Sequence, residues 1–370
     1  MARTARLGPL SLVLALLCAP VAAAERVLVG ASLPLSGPLA GHGQAWLRGL
    51  QLGLGLGPGS EGTERTLTLQ ALDDRADPAQ MARNAQSLAE AGAVALTGFG
   101  TGAETVLPVL TAQGLPLVGV ASGSEALREP VHPWVFHLRA GVQDEAGAMV
   151  IHLDLVGLTD VATVSQADVL GQAGRHGMRS ELARYAIRPV AQVELPVQAD
   201  AAAVQAAVAQ ACTPQPQALV LMLEPVRALA ALQQARQLGC GRLRYVFNEV
   251  GMRLLAQPEG AQALKGVVVP QLLPHPSQLG SPLVAAFQRA AGPAGVAPSY
   301  AALEGYLHGR VLVEALARCG REVSRRCVAH TLESRPLEVG GYRLSFSPHD
   351  HRGSHWVDMT IVTADGRLRR

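Results

Sequence analysis

Short apolar runs alternate with helix-length amphipathic segments along most of the chain. Nine apolar runs predict strands, at residues 26–32, 66–71, 93–97, 117–120, 161–165, 190–195, 218–223, 244–247 and 266–269. Between them, apolar residues recur three and four positions apart, as in helices, for example at residues 78–90, 143–156, 201–211 and 226–238. This alternation predicts an α/β fold with parallel sheets, flanking helices and right-handed crossovers.

The alternation stops near the end of the chain. Residues 301–318 and 322–333 read as consecutive helices, and residues 341–346 and 356–363 read as two further strands. We therefore expect two lobes, with the chain returning to the first lobe after it has built the second. Three crossing segments, rich in Pro, Gly, His or polar residues, are predicted near residues 136–141, 270–276 and 347–355. The first lobe then holds residues 25–138 and 274–350, and the second holds residues 139–273 and 351–370.

The first 24 residues have the pattern of a secretory signal peptide. Arg3 and Arg6 precede an apolar centre at residues 10–17, and the alanines at 22–24 form a small-residue cleavage site. The mature chain is expected to begin at Glu25. A membrane anchor is the alternative, but the apolar run is much shorter than the roughly 20 residues that a span needs.

The charge of the mature chain is balanced. Loss of Arg3 and Arg6 lowers the basic count from 31 to 29, which equals the 29 acidic residues. Basic residues are scattered rather than clustered, so neither nucleic acid nor an anionic membrane is expected as a partner.

Four cysteines remain after the predicted cleavage, an even number that favours disulfides in an exported chain. Cys212 and Cys240 each end a predicted helix just before a strand, so they are expected at the same end of neighbouring strands. Cys319 closes one predicted helix and Cys327 opens the next. We predict the pairs 212–240 and 319–327. A zinc site is the alternative, but the sequence holds no C-x-x-C pair.

Two glycine-rich turns follow successive predicted strands, at residues 98–102 and 119–123. Backbone N–H groups at a helix N-terminus, uncrowded by side chains, can bind a carboxylate or phosphate. In a parallel sheet both turns lie at the carboxyl edge, where such sheets bind ligands. A dinucleotide loop is the alternative, but no acidic residue ends the next strand, so no cofactor is expected.

Other polar clusters have simpler interpretations than catalysis or metal binding. Asp77 precedes Pro78 and is expected to cap a helix, although the acidic residues at 73–77 could also suggest a metal loop. The histidines near residues 349–355 are expected in a crossing segment, with a metal site as the alternative. The sequence holds no G-x-S-x-G nucleophile elbow, and the four cysteines are explained as disulfide partners. An enzyme is therefore the less favoured interpretation.

Several motifs together resemble the leucine/isoleucine/valine-binding protein family, the periplasmic solute receptors of ABC importers. They are the two glycine-rich turns and residues 30–43, 73–78, 298–306 and 346–356. The resemblance covers nearly the whole mature chain. It implies two Rossmann-like lobes that close around a small solute, a periplasmic location and a membrane permease as partner.

The resemblance also implies ligand-binding residues. The first turn would bind the ligand carboxylate and the second its carboxylate and amino groups. An acidic residue after a second-lobe strand would pair with the ligand ammonium, and a ring in the first loop would contact the ligand. The first turn corresponds to Gly100, Thr101 and Gly102, and the second to Ala121, Ser122 and Gly123. The acidic residue corresponds to Glu249 and the ring to His42.

Two positions depart from the family pattern. Leu170 stands where an aromatic residue is usual, and Glu224 replaces a tyrosine of the cleft. Glu224 beside Glu249 would favour a more cationic ligand, unless Glu224 only caps the helix after Pro225. Thr101 and Ser122 could likewise be turn residues alone. The expected function is a solute receptor; the alternatives are the sensing subunit of a signalling system and an exported α/β enzyme.

Overall fold

The computed structural model describes residues 26–56, 66–278 and 280–370, so the predicted signal peptide lies outside the described residues. Two helix-flanked sheets form two lobes, which confirms the predicted fold class. Within the described ranges, none of the helices has the length and apolar character needed to cross a bilayer. The lobe boundaries predicted at residues 138, 273 and 350 stay predictions.

The first lobe begins with a parallel sheet in the order β2-β1-β3-β4-β5. Its strands are β1 (Arg26–Leu33), β2 (Thr66–Asp73), β3 (Ala95–Gly98), β4 (Leu117–Val120) and β5 (Val135–Phe136). The helices between them are α1 (Ala40–Gly53), α2 (Pro78–Glu90) and α3 (Leu107–Gln113). Strands β3 and β4 are neighbours, with Gly98 opposite Val120, so the two glycine-rich turns leave the sheet side by side.

The second lobe contains the longer sheet, in the order β14-β13-β10-β9-β8-β6-β7. Its strands are β6 (Asp160–Gln166), β7 (Arg188–Leu195), β8 (Ala218–Met222), β9 (Leu243–Val246) and β10 (Val267–Gln271). Its helices are α4 (Val142–Leu155), α5 (Val169–Arg184), α6 (Ala201–Cys212), α7 (Pro225–Gln237), α8 (Asn248–Leu255) and α9 (Pro258–Ala263). These strands run parallel, and one continuous apolar core packs around them.

The chain then returns to the first lobe before it ends in the second. Helices α10 (Pro282–Ala291), α11 (Tyr300–Arg318) and α12 (Arg325–Ser334) and the hairpin β11 (Leu337–Val339) and β12 (Tyr342–Leu344) pack on the first lobe. Strands β13 (Asp358–Val362) and β14 (Leu368–Arg369) join the second sheet, both antiparallel. The three predicted crossings are therefore confirmed, although two strands of the second sheet depart from the parallel arrangement.

One hydroxyl group links the three crossings between the lobes. Tyr342 is buried, and its hydroxyl oxygen lies 2.8 Å from Oγ of Ser354 in the third crossing. The same oxygen lies 3.3 Å from the carbonyl oxygen of Leu138 in the first crossing and 3.5 Å from that of Leu272 in the second. Hydrogen bonds to the Tyr342 hydroxyl therefore connect all three crossings.

Helices α1 and α11 pack backbone against backbone through glycines. A Cβ added at Gly305 would overlap the carbonyl oxygen of Trp46, and one added at Gly49 would overlap that of Ala302. A side chain at either glycine would push the helices apart, because a packed interior cannot absorb the extra volume. This contact places the first turn of α11 at the cleft between the lobes.

Both predicted disulfides are confirmed, with Cα–Cα distances of 5.7 Å for Cys212–Cys240 and 5.8 Å for Cys319–Cys327. The predicted start of α12 at residue 322 is wrong. The helix begins at Arg325, because Ser324 caps it by accepting a hydrogen bond from the Cys327 amide.

Candidate functional site

A cavity of about 330 Å³ lies between the two lobes. The carboxyl edge of the first sheet and helices α1 and α11 form one wall, and α8 with the end of β10 forms the other. The lining residues discussed below are Ser32, His42, Trp46, Asp74, Gly100, Thr101, Ala121, Arg139, Asn248, Glu249, Arg253 and Glu304.

The first glycine-rich turn presents its backbone to this cavity. In the part of the chain that the structure describes, the amides of Gly100, Thr101 and Gly102 donate to no protein acceptor. Gly102 has a φ of 90°, and a Cβ there would overlap the ring of Pro78, so the tight turn requires glycine. Gly100 and Thr101 line the cavity, while Gly102 only shapes the turn. The free amides can receive an anion.

The second glycine-rich turn is locked to the first. The Ala121 amide donates to the carbonyl oxygens of Gly98, at 2.8 Å, and Phe99, at 3.1 Å. Ala121 lines the cavity with that amide already engaged, so only its carbonyl group remains for a ligand. Ser122 is 1% exposed and its Oγ accepts from the Ser124 amide, and neither Ser122 nor Gly123 lines the cavity.

Each turn leads into a 3₁₀ turn rather than directly into the expected α-helix. The first covers Ala103–Val106 and continues into α3, and the second covers only Glu125–Leu127. The helix-dipole contribution at the second turn is therefore smaller than the sequence interpretation implies.

The opposite wall is the first two turns of α8, which starts immediately after β9. The Glu249 side chain is 29% exposed and lines the cavity. Its burial raises the pKa of the carboxyl group, although Arg139 and Arg253 act in the other direction. A ligand ammonium would favour the ionised form and reverse that shift.

The cavity floor holds a buried arginine that joins the two lobes. Arg139, in the first crossing, donates from Nη1 to Oε1 of Glu304 on α11 at 3.1 Å. It also donates from Nη2 to Oδ1 of Asn248, the first residue of α8, at 3.0 Å. Burial alone would raise the pKa of Glu304, but Arg139 holds it below its usual value. Glu304 is therefore an anion with a fixed partner.

A second buried carboxyl group supports α8 from behind. Glu145 on α4 is 1% exposed, and its Oε2 accepts a hydrogen bond of 2.6 Å from the Asn248 amide. Burial raises the pKa of Glu145 to about 8, against the opposing effects of that amide and of Arg139. Glu145 therefore fixes the start of the helix that presents Glu249.

Aromatic side chains complete the first-lobe wall. Trp46 is 1% exposed, lines the cavity and stacks edge-on against His308 at 4.9 Å between ring centroids. Among the described residues, no acceptor is present for its indole Nε1–H. His308 contacts Oγ1 of Thr97 through Nδ1 at 3.1 Å, and burial lowers its pKa to about 4. His42 also lines the cavity, at an exposed position.

The acidic segment at residues 73–77 shapes the first loop. Asp77 accepts a hydrogen bond from the Ala79 amide at 2.8 Å and caps α2, so the predicted cap is confirmed. Asp74 is fully buried, accepts from Oγ of Ser32 at 2.9 Å and lines the cavity. Asp73 accepts from the Leu35 amide at 2.8 Å. These carboxylates organise the loop between β1 and α1.

Besides Gly102, Ser122 and Gly123, two predicted ligand residues of the second lobe lie outside the cavity lining. Glu224 caps α7, accepting from the amides of Val226 and Arg227 at 2.9 Å each, and its carboxylate pairs with the Arg227 guanidinium at 3.0 Å. Leu170 packs against the second-lobe core at the start of α5. The structure thus fits the capping interpretation of Glu224.

The histidines of the third crossing are engaged separately. His351 contacts Glu333 through Nε2 at 3.1 Å, whereas His355 contacts Asp144 through Nδ1 at 2.8 Å. Over the described residues, His, Cys, Asp and Glu form no group of three or more that could hold a metal ion.

The cavity residues that were not predicted from the sequence include Trp46, Arg139, Arg253 and Glu304. Arg253 had a usable signal, because it follows Glu249 by four residues and shares its helix face. Glu304 lies within the 298–306 motif. Arg139 reaches the cavity only through the path of a crossing segment, which no local pattern reveals.

Comparisons with known proteins agree with this architecture. Residues 26–367 match the model of a family described as periplasmic binding protein. An extracellular ligand-binding receptor from Verminephrobacter eiseniae is similar to this chain at 24% identity, with a TM-score of 0.77 and coverage of 94% of this chain and 100% of that one. Among curated proteins, none matches the sequence.

Two further solved structures are more similar in sequence. A substrate-binding periplasmic protein from Ralstonia solanacearum is 29% identical, with a TM-score of 0.73 and coverage of 92% of this chain and 99% of that one. A possible leucine/isoleucine/valine-binding protein from Rhodopirellula baltica is 26% identical, with a TM-score of 0.76 and coverage of 94% and 97%.

Proposed function

The chain belongs to the periplasmic binding protein family, and on that premise we propose that it is the exported solute receptor of an ABC importer. Residues 1–24 would direct export, and the mature protein would capture a small carboxylate-bearing molecule, such as an amino acid or amide. Closure of the lobes around the solute would present a surface to a membrane permease. The receptor itself carries out no reaction.

One observation carries the proposal. The cavity faces the unpartnered amides of Gly100 and Thr101 on one lobe and the carboxyl group of Glu249 on the other. Amides oriented toward an anion bind it without reorganisation, and charge-assisted hydrogen bonds are stronger than neutral ones. A molecule with a carboxylate at one end and an amine beside it satisfies both walls at once.

The position of the cavity also supports binding by closure. Arg139 contacts groups of both lobes at its floor, and the three crossings restrict relative movement to a hinge. A solute between the walls adds contacts that the open form lacks, so it shifts the population toward the closed form.

The direct test starts with native mass spectrometry of the purified mature protein to identify any bound compound. Calorimetry and X-ray scattering with that compound would then measure affinity and closure. We expect a carboxylate-bearing ligand and a smaller radius of gyration on binding. The family resemblance gives the Thr101 hydroxyl a contact with the carboxylate beside the backbone amide, so Thr101→Val should weaken the affinity about tenfold. Thr213→Val is the matched control, because Thr213 is exposed after the end of α6 and lies outside the cavity lining. A protein that binds no carboxylate under these conditions contradicts the proposal.

A further inference from the structure

The second-lobe wall carries a guanidinium group that the proposed contacts do not use. Arg253 lies on α8 one turn after Glu249, lines the cavity and has a side chain 33% exposed. Its Nη1 lies 3.9 Å from Oε1 of Glu249, which is too long for a hydrogen bond. Across the described ranges, the guanidinium donates to no protein acceptor.

This arrangement leaves the N–H donors of the Arg253 guanidinium to solvent until a ligand supplies an acceptor. A guanidinium has five N–H donors in a planar fork that matches a carboxylate in bidentate geometry. The other cavity arginine, Arg139, is already paired with Glu304. Glu249 is therefore the counter-charge of Arg253, held by proximity rather than by a hydrogen bond.

Binding of an amine would change that balance. A ligand ammonium that approaches Glu249 competes with Arg253 for the same carboxylate. Arg253 is then left in a narrowing, increasingly dry cavity, where an uncompensated charge is expensive. An acidic group elsewhere on the ligand removes the cost and restores neutrality around α8.

We propose that Arg253 is a specificity-determining residue that binds a second acidic group, so that the solute is a small amino dicarboxylate. This inference rests on the proposed function, since the first carboxylate belongs to the turn at Gly100 and Thr101. It reverses the charge preference implied by the sequence. The second carboxylate expected there, Glu224, lies outside the cavity lining, and a cation lines it instead.

The size of the cavity agrees with such a solute. Ligand cavities typically measure roughly 300–1,000 Å³, and this one, at about 330 Å³, is near the lower end. It is large enough for an amino acid with a short acidic side chain. L-glutamate and L-2-aminoadipate are therefore suitable probes, and L-glutamine and L-norleucine are their uncharged counterparts.

The test is calorimetric titration of the mature protein with these four probes. We expect the wild type to bind at least one of the two acids about 10- to 100-fold more tightly than either uncharged counterpart. Arg253→Gln should remove that preference while changing the L-glutamine affinity less than about threefold. Arg253→Lys should retain part of it, because the charge remains and the fork is lost.

Arg242→Gln is the matched control, since Arg242 is exposed just before β9 and lies outside the cavity lining. Equal weakening of all probes by Arg253→Gln, or a wild type without preference for the acids, would overturn the inference. A wild type that binds monocarboxylates but neither diacid also overturns it and leaves the proposed function intact. A protein that binds no carboxylate overturns both.

Discussion

Arg139 and Glu304 form a buried ion pair, 3.1 Å between Nη1 and Oε1, at the point where the first crossing meets α11. Their side chains are 9% and 11% exposed. The pair therefore contributes to the fold and to the shape of the cavity floor at the same time. Removing one partner leaves the other as a buried charge without compensation.

We expect Arg139→Met to lower the free energy of unfolding by about 3–5 kcal/mol. The double variant Arg139→Met/Glu304→Leu should recover much of that loss, because no isolated charge remains. Urea unfolding of the two single variants and the double variant at pH 7 measures the coupling free energy between the two side chains. Arg184→Met is the control, because the Arg184 side chain that pairs with Glu181 is 69% exposed, and it should cost less than about 1 kcal/mol. Strict additivity of the two single changes would show that the pair is not coupled.

Glu145 makes the stability depend on pH in a defined direction. Burial raises its pKa from 4.5 to about 8. Between these values the native carboxyl group keeps a proton that the unfolded chain releases. Its contribution to stability is therefore fully present below pH 4.5 and is lost as the pH rises toward 8, by roughly 1 kcal/mol per pH unit.

Glu145→Gln should remove this dependence, because the amide stays neutral and can still accept from the Asn248 amide. The variant is expected to match the wild type at pH 5 and to exceed it in unfolding free energy at pH 8. Urea titrations at the two pH values measure the difference. A stability change of the same size at both would contradict the raised pKa.

The glycine contact between α1 and α11 predicts opposite effects for two similar substitutions. Gly305→Ala places a methyl group against the carbonyl oxygen of Trp46 and should cost about 1–3 kcal/mol or more. Gly147→Ala on α4 makes only ordinary contact with the Glu181 side chain, so its higher helix propensity should add up to about 1 kcal/mol. Thermal unfolding would rank the two variants. Equal melting temperatures would mean that the helices can separate at no cost.

Two glutamates of the second lobe can be separated by their effects on binding. Glu249→Gln should weaken an amine-bearing ligand about 10- to 100-fold, because a charge-assisted contact becomes neutral. Glu224→Gln should leave that affinity unchanged and slightly lower the melting temperature, because it weakens the cap and ion pair at the start of α7. Calorimetry and thermal unfolding of both variants distinguish these outcomes. Weaker ligand binding by Glu224→Gln would contradict the capping role and indicate that Glu224 contacts the ligand.

The fold follows from local sequence signals to a large extent. Alternating apolar runs and amphipathic segments predict both lobes, and the helix ends at Cys212 and Cys319 predict the two disulfides. Strands β5, β11 and β14 are missed, because each has only two or three residues and none lies within a longer alternating run, as β12 does. The antiparallel direction of β13 depends on the return of the chain from the first lobe, which no local pattern encodes.

The site is predicted less completely than the fold. The turn at Gly100 and Thr101 is marked by glycines that a close backbone approach requires, and Glu249 by its place after a strand. Arg139 and Trp46 reach the cavity through packing between distant segments, so their surroundings determine their role. For Glu224, by contrast, a local signal was sufficient, since Pro225 directly after it favours a helix cap at that position.

The three crossings meet at the Tyr342 hydroxyl, away from the residues proposed to contact the solute. In the proposed receptor, overall affinity and selectivity among solutes therefore depend on different residues. If the lobes close around a solute as proposed, we expect a change of that hydroxyl to alter the free-energy difference between the open and closed forms. That difference enters the apparent dissociation constant of every solute as the same factor. Tyr342→Phe would thus rescale all affinities together and keep their ranking, whereas substitutions in the lining would reorder them. Sensitivity and selectivity are accordingly adjustable at different places in this molecule.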